Sequence, residues 1–150
     1  MYHRILVPLD GSEVAETVLA FVVPLAERFA SRVHLVTVFD ESDVLRREGG
    51  VALLSDLIDP TFVLARAQAE LGDYLARVAR RLAERGFELD VRCLTGSPGP
   101  AIVQSAAAFE AELIAMTVHR RVNLRRRLAG DVVQFVLRTA PCPVLLVHVP

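Results

Sequence analysis

Three stretches of this chain are nearly continuous runs rich in Val, Ile and Leu: Arg4–Leu9, Val33–Phe39 and Val144–Val149. A strand with one wet face alternates apolar and polar residues. A run that does not alternate has apolar surroundings on both faces, as in an all-parallel sheet covered by helices on each side. Glu88–Leu94 and Leu113–Val118 are two further strand-like runs, making five.

Between these runs the apolar residues recur with helical spacing. Val14, Val18, Phe21, Val22, Leu25 and Phe29 form one stripe, and Leu64, Leu71, Leu75, Val78 and Leu82 a second. Ile102, Val103, Ala106 and Phe109 form a third, and Val132, Val133, Val136 and Leu137 a fourth. Ser12 and Ser97 stand where N-caps belong, and Gly86 where the second helix should stop. Five strands alternating with four helices predict a single α/β domain over residues 1–150, a doubly wound parallel sheet of order 3-2-1-4-5 with right-handed crossovers. Ligands of such sheets bind beyond the carboxyl ends of the strands, where the order reverses. That crevice lies between Asp10-Gly11-Ser12 and the loop 117–131. Asp40–Pro60 reads as a long irregular segment, with 51–54 as a short helical turn over the crevice.

Composition narrows the function classes. A net charge of -1 gives no global attraction to nucleic acid or membrane. No apolar run reaches the roughly 18 residues of a spanning helix. Met1-Tyr2-His3-Arg4 leads straight into a strand without signal-peptide features, so a cytoplasmic location is expected. All 17 basic residues are Arg, and five of them, Arg120, Arg121, Arg125, Arg126 and Arg127, crowd into one loop. No Trp, and no Tyr in that loop, accompanies them, so the cluster reads as a solvated loop in place of a nucleic-acid face. Cys93 and Cys142 show no metal or redox spacing and are expected to be small buried apolar residues.

The segments Val7-Pro8-Leu9-Asp10-Gly11-Ser12, Gly96-Ser97-Pro98 and Ala140-Pro141-Cys142-Pro143-Val144, with the stretch Met116–Val147, resemble the universal stress protein family over essentially the whole chain. The resemblance implies an adenine nucleotide α-hydrolase-like fold and a stress-response role. In the family's nucleotide-binding branch, an Asp after strand one lies beside the nucleotide and a Val late in strand two touches the adenine. Those positions are Asp10 and Val38 here; Asp10 can equally cap the following helix. The family's late loop reads Gly, two residues, Gly, nine residues, Gly, then Ser or Thr. This chain has Thr117, Arg120, Gly130 and Asp131 there, so Gly130 alone matches.

A phosphate cradle needs glycines, which admit positive φ and let backbone N–H groups approach the anion. Thr117 and Arg120 carry a Cβ instead. Asp131, expected at the start of the fourth helix, favours the helix dipole but repels a phosphate. Two like unit charges ~4 Å apart cost about 4 kcal/mol at an effective dielectric of 20. Either Arg120 pairs with Asp131 and fills the crevice, or Arg120 and its neighbours face a bound anion. His119, in the same loop, has the chemistry of a proton shuttle, yet the family often carries His there. Asp10, Ser12, His119 and Asp131 hold the residue types of a hydrolytic triad, but their spacing matches no nucleophile elbow.

The expectation is therefore a non-catalytic regulatory protein without a resident cofactor or metal, acting through an unidentified protein partner and binding ATP weakly or not at all. A nucleotide or anion sensor, using ATP with Mg²⁺, is the alternative, and a slow ATP-hydrolysing or phosphotransfer enzyme a further one. The apolar Val144–Val149, expected at a sheet edge, predicts a homodimer through that strand. The resemblance implies the same dimer.

Overall fold

The structure is a computed structural model that describes residues 1–48, 59–119 and 127–150, with 48, 119 and 127–130 described as backbone alone. Its sheet is five-stranded, in the order β3-β2-β1-β4-β5. The strands are β1 (Arg4–Pro8), β2 (Arg32–Phe39), β3 (Leu89–Thr95), β4 (Leu113–His119) and β5 (Val144–Val149). All four pairings are parallel; Ile5 sits opposite Val33 on one side and Leu113 on the other.

Side chains leave β1 to alternate faces, and both faces are dry. Ile5 and Val7 enter one apolar cluster with Val22, Leu35, Leu75 and Val78. Leu6 enters the other with Val36, Ile102, Ile114 and Val136. Ile5, Leu6 and Val7 are all fully buried, which is why the run shows no alternation.

Six helical segments occur among the described residues: α1 (Glu13–Glu16), α2 (Leu19–Phe29), α3 (Glu41–Glu48), α4 (Pro60–Ala83), α5 (Pro98–Ala108) and α6 (Arg127–Thr139). α2 and α4 cover the first cluster, α5 and α6 the second. The first apolar stripe is thus two helices. The Thr17 hydroxyl donates to the Val14 carbonyl at 2.7 Å, and the turn there tightens to three-residue bonds such as Val18 N–H to Ala15 O. Phe21 and Leu137, assigned to apolar stripes, are exposed because they lie at the flanks of their helices' buried faces.

The irregular reading of Asp40–Pro60 is corrected at its start. The Asp40 carboxylate accepts from the Asp43 N–H at 3.2 Å and opens α3, whose Arg46 and Arg47 both pair with Asp43. The expected turn at 51–54 lies outside the described residues. α4 begins earlier than its stripe, at Pro60, behind the N-cap Asp59, whose side chain accepts from the Thr61 N–H. Ser97 is the N-cap residue of α5 but makes no side-chain capping bond. Cys93 is exposed and not buried, since β3 is an edge strand. β5 occupies the other edge, as expected.

Candidate functional site

The strand order reverses at β1, with β2 on one side and β4 on the other. A cavity of about 520 Å³ opens over the carboxyl ends of these three strands. β1 delivers Pro8, Leu9 and Asp10; β2 delivers Val36, Val38 and Phe39; β4 delivers Met116 and Thr117. The first turn of α5 supplies Ser97, Pro98, Gly99 and Pro100, and α6 supplies Asp131, Val132, Val133 and Phe135.

Four of the seven residues singled out from the sequence therefore meet in one cavity: Asp10, Val38, Thr117 and Asp131. Asp10 is exposed, and Val38 and Thr117 are half-buried. Asp10 does not cap α1 directly. Its Oδ1 accepts from the Ser12 N–H at 2.9 Å and the Ser12 hydroxyl at 2.5 Å. The Ser12 oxygen then caps the helix by accepting from the Ala15 N–H at 3.1 Å. Gly11, at φ 88°, supplies the left-handed turn between them.

α6 begins at Arg127, so Gly130 lies within its first turn and not ahead of it. Asp131 follows one turn into the helix, not at its very start, and its residue is exposed. His119 ends β4 opposite Val149, and its side chain lies outside the described residues. Arg120 lies wholly outside them, and with it the expected Arg120–Asp131 pair.

The sequence reading missed the wall that α3 contributes: Asp43, Val44 and Arg47, with Asp40 just ahead of the helix. The available signal was the Asp43/Arg47 pair at helical spacing behind an Asp cap. Ala67 and Leu71 of α4 close the same side.

Among the described residues the floor is apolar and the polar rim is acidic. Asp10, Asp40, Asp43 and Asp131 all line the cavity, and Arg47 is the one basic side chain among the described lining residues. Its Nη2 is already committed to Asp43 at 2.7 Å. Among the described residues no group of three His, Cys, Asp or Glu could hold a metal ion. No helix among them is long and apolar enough to cross a membrane.

The described lining thus combines an apolar floor with carboxylates at its rim, a composition common in small-molecule pockets.

Comparison with known proteins agrees with this architecture. Residues 1–148 match the model of the universal stress protein family. A universal stress protein of Methanocaldococcus jannaschii is 31% identical over 152 residues, an alignment that takes in 100% of this chain and 84% of that protein. Among solved structures, the hypothetical protein MJ0577 superposes with a TM-score of 0.80 at 27% identity, covering 100% of this chain and 98% of that one. A universal stress protein solved in complex with cAMP superposes with a TM-score of 0.64 at 21% identity, covering 98% and 97%, a likeness of fold. With the strand order, the crevice at its reversal and a family match over nearly every residue, the chain belongs to the universal stress protein family.

Proposed function

We propose that the protein is a non-catalytic stress-response regulator that works as a cytoplasmic homodimer through contacts with other proteins, and that it binds ATP weakly or not at all. Family membership supports the stress-response role. The observation that carries the weak ATP binding is the acidic rim of the cavity: four carboxylates, one described arginine, and that arginine paired. Charge repulsion of this kind weakens a polyanion most, because every added phosphate meets the same rim. The apolar, edge-placed β5 supports the dimer.

Calorimetric titration with ATP and Mg²⁺ tests this reading. The wild-type chain should give no saturable heat in the micromolar range. The triple variant Thr117→Gly, Arg120→Gly, Asp131→Ser restores the glycines and hydroxyl of the family's nucleotide-binding loop and should gain affinity. Micromolar binding by the wild type, or a folded triple variant that still binds nothing, would overturn it.

One observation favours a second reading, a nucleotide or anion sensor. The cavity keeps Asp10 and Val38 at the positions that the family's nucleotide binders use, and a relative of the same fold was solved with cAMP. Under that reading a monophosphate should bind where a triphosphate does not.

A further inference from the structure

Away from the cavity, on the α5 side of the sheet, an ionisable group is shut inside the core. His34 of β2 is 3% exposed. Its Nε2 lies 2.8 Å from the Ser105 hydroxyl of α5. Its Nδ1 lies 3.0 Å from the Asp90 carboxylate of β3, although off line for a well-directed hydrogen bond. Phe109, just beyond α5, stacks on the imidazole at 4.6 Å between ring centres and 20° between planes. β2, β3 and the end of α5 therefore meet at one imidazole.

The surroundings decide its proton. β3 presents Asp90 and Arg92, and Arg92 Nε is itself 3.5 Å from Asp90. β2 presents Arg32, whose guanidinium carbon lies 5.8 Å from the centre of the Phe109 ring. α5 presents no charge at all along Pro98–Ala108. Burial opposes a charged ring most strongly; Asp90 works against that, and Arg92 and Arg32 add to it. The net effect holds the imidazole below its ordinary pKa of 6.5. With Asp90 beside Nδ1, the neutral ring keeps its proton there, and Nε2 accepts from the Ser105 hydroxyl. A second proton has to enter at Nε2. Ser105 must then stop donating and turn its own hydrogen elsewhere, such as to the carbonyl one turn back in α5.

We propose that His34, set between Asp90 and Ser105, is an acid-sensitive latch that ties α5 to the sheet and weakens that tie when the imidazole takes up a proton. The opened or unfolded chain, with a hydrated ring, takes the proton more readily than the closed one. The latch's contribution is therefore complete above pH 6.5 and is lost as pH falls through the lowered native value. α5 is also the helix whose first turn walls the cavity, at Pro98, Gly99 and Pro100, so the latch grips the far end of that wall.

Two measurements test it. In an NMR titration of the full-length protein, the His34 ring should titrate below 6.5, and Asp90→Asn should move it lower still. A midpoint at or above 6.5, or no movement in Asp90→Asn, overturns the assignment. Native-state amide exchange, corrected for intrinsic pH dependence, should show α5 losing more protection than β1 between pH 7.5 and 5.5. In His34→Gln that extra loss should vanish. Equal losses in α5 and β1, or an undiminished difference in His34→Gln, would also overturn it. The first measurement needs no His34 variant and stands if that variant fails to fold.

Discussion

Phe135 of α6 lies so close to Gly99 of α5 that a Cβ built on Gly99 would meet the ring's Cγ and Cδ1 at 2.9 Å and its Cβ at 3.1 Å. The two residues also line the cavity together. Gly99→Ala should therefore cost about 1–3 kcal/mol, the usual range for overpacking. Because the strain is shared by one pair, Gly99→Ala with Phe135→Ala should be less unstable than the sum of the single changes. Urea denaturation of the four proteins in the cycle checks this; strict additivity would mean that the contact is slack.

The turn Asp10-Gly11-Ser12 makes a second prediction. Ser12→Ala removes the oxygen that caps α1 and should cost about 1 kcal/mol, within the 0.5–2 kcal/mol typical of caps. Asp10→Ala should cost stability by releasing Ser12, and the double variant should add little to either single one. The same denaturation experiment reads the coupling. A fully additive pair would show that Asp10 does not act through Ser12.

Tyr74 provides a prediction at high pH. Its hydroxyl is buried, and burial raises its pKa well above the ordinary 10, helped by Glu16 nearby. The folded state then holds the phenolic proton more tightly than the unfolded chain. Tyr74 contributes its full stability below pH 10 and loses it progressively above. Denaturation midpoints should fall above pH 10 in the wild type and fall less in Tyr74→Phe. A Tyr74→Phe curve parallel to the wild type would contradict the burial of this hydroxyl.

The β5 edge tests the dimer. Sedimentation should find two copies of the chain together, and Val149→Lys should shift the population toward monomer, since an edge lysine opposes strand pairing. A wild-type monomer, or a Val149→Lys dimer of undiminished affinity, would send the search for the interface elsewhere on the molecule.

Much of this architecture could be read from the chain because β1, β2 and β5 are short runs without alternation, bounded by turn residues, as strands of a sheet covered on both faces are. The cavity's Asp10, Val38, Thr117 and Asp131 were legible because topology fixes where strand ends meet. α3 was not: Glu41–Glu48 has only Val44 and Leu45 as apolar residues, too few for a stripe, and its cap Asp40 also suits a loop. The break between α1 and α2 hid behind a continuous apolar stripe, because Thr17's hydroxyl bond leaves no trace in hydrophobic spacing. His34, Asp90 and Ser105 lie on three separate elements. Only the β3-β2 register and the return of α5 across the sheet bring them together.

The placement of β1 has a consequence for how the chain must be made. It is made before the other four strands, yet it is the middle strand of the sheet, and Ile5 finds its second neighbour only at Leu113. Until then β1 has β2 on one side and an open edge on the other, and the helix α6 that finishes covering Leu6 comes later still. The sheet therefore cannot close strand by strand as it is synthesised. A chain interrupted before β4 keeps a strand with Ile5, Leu6 and Val7 unpaired along one side, which makes incomplete products candidates for association through that edge.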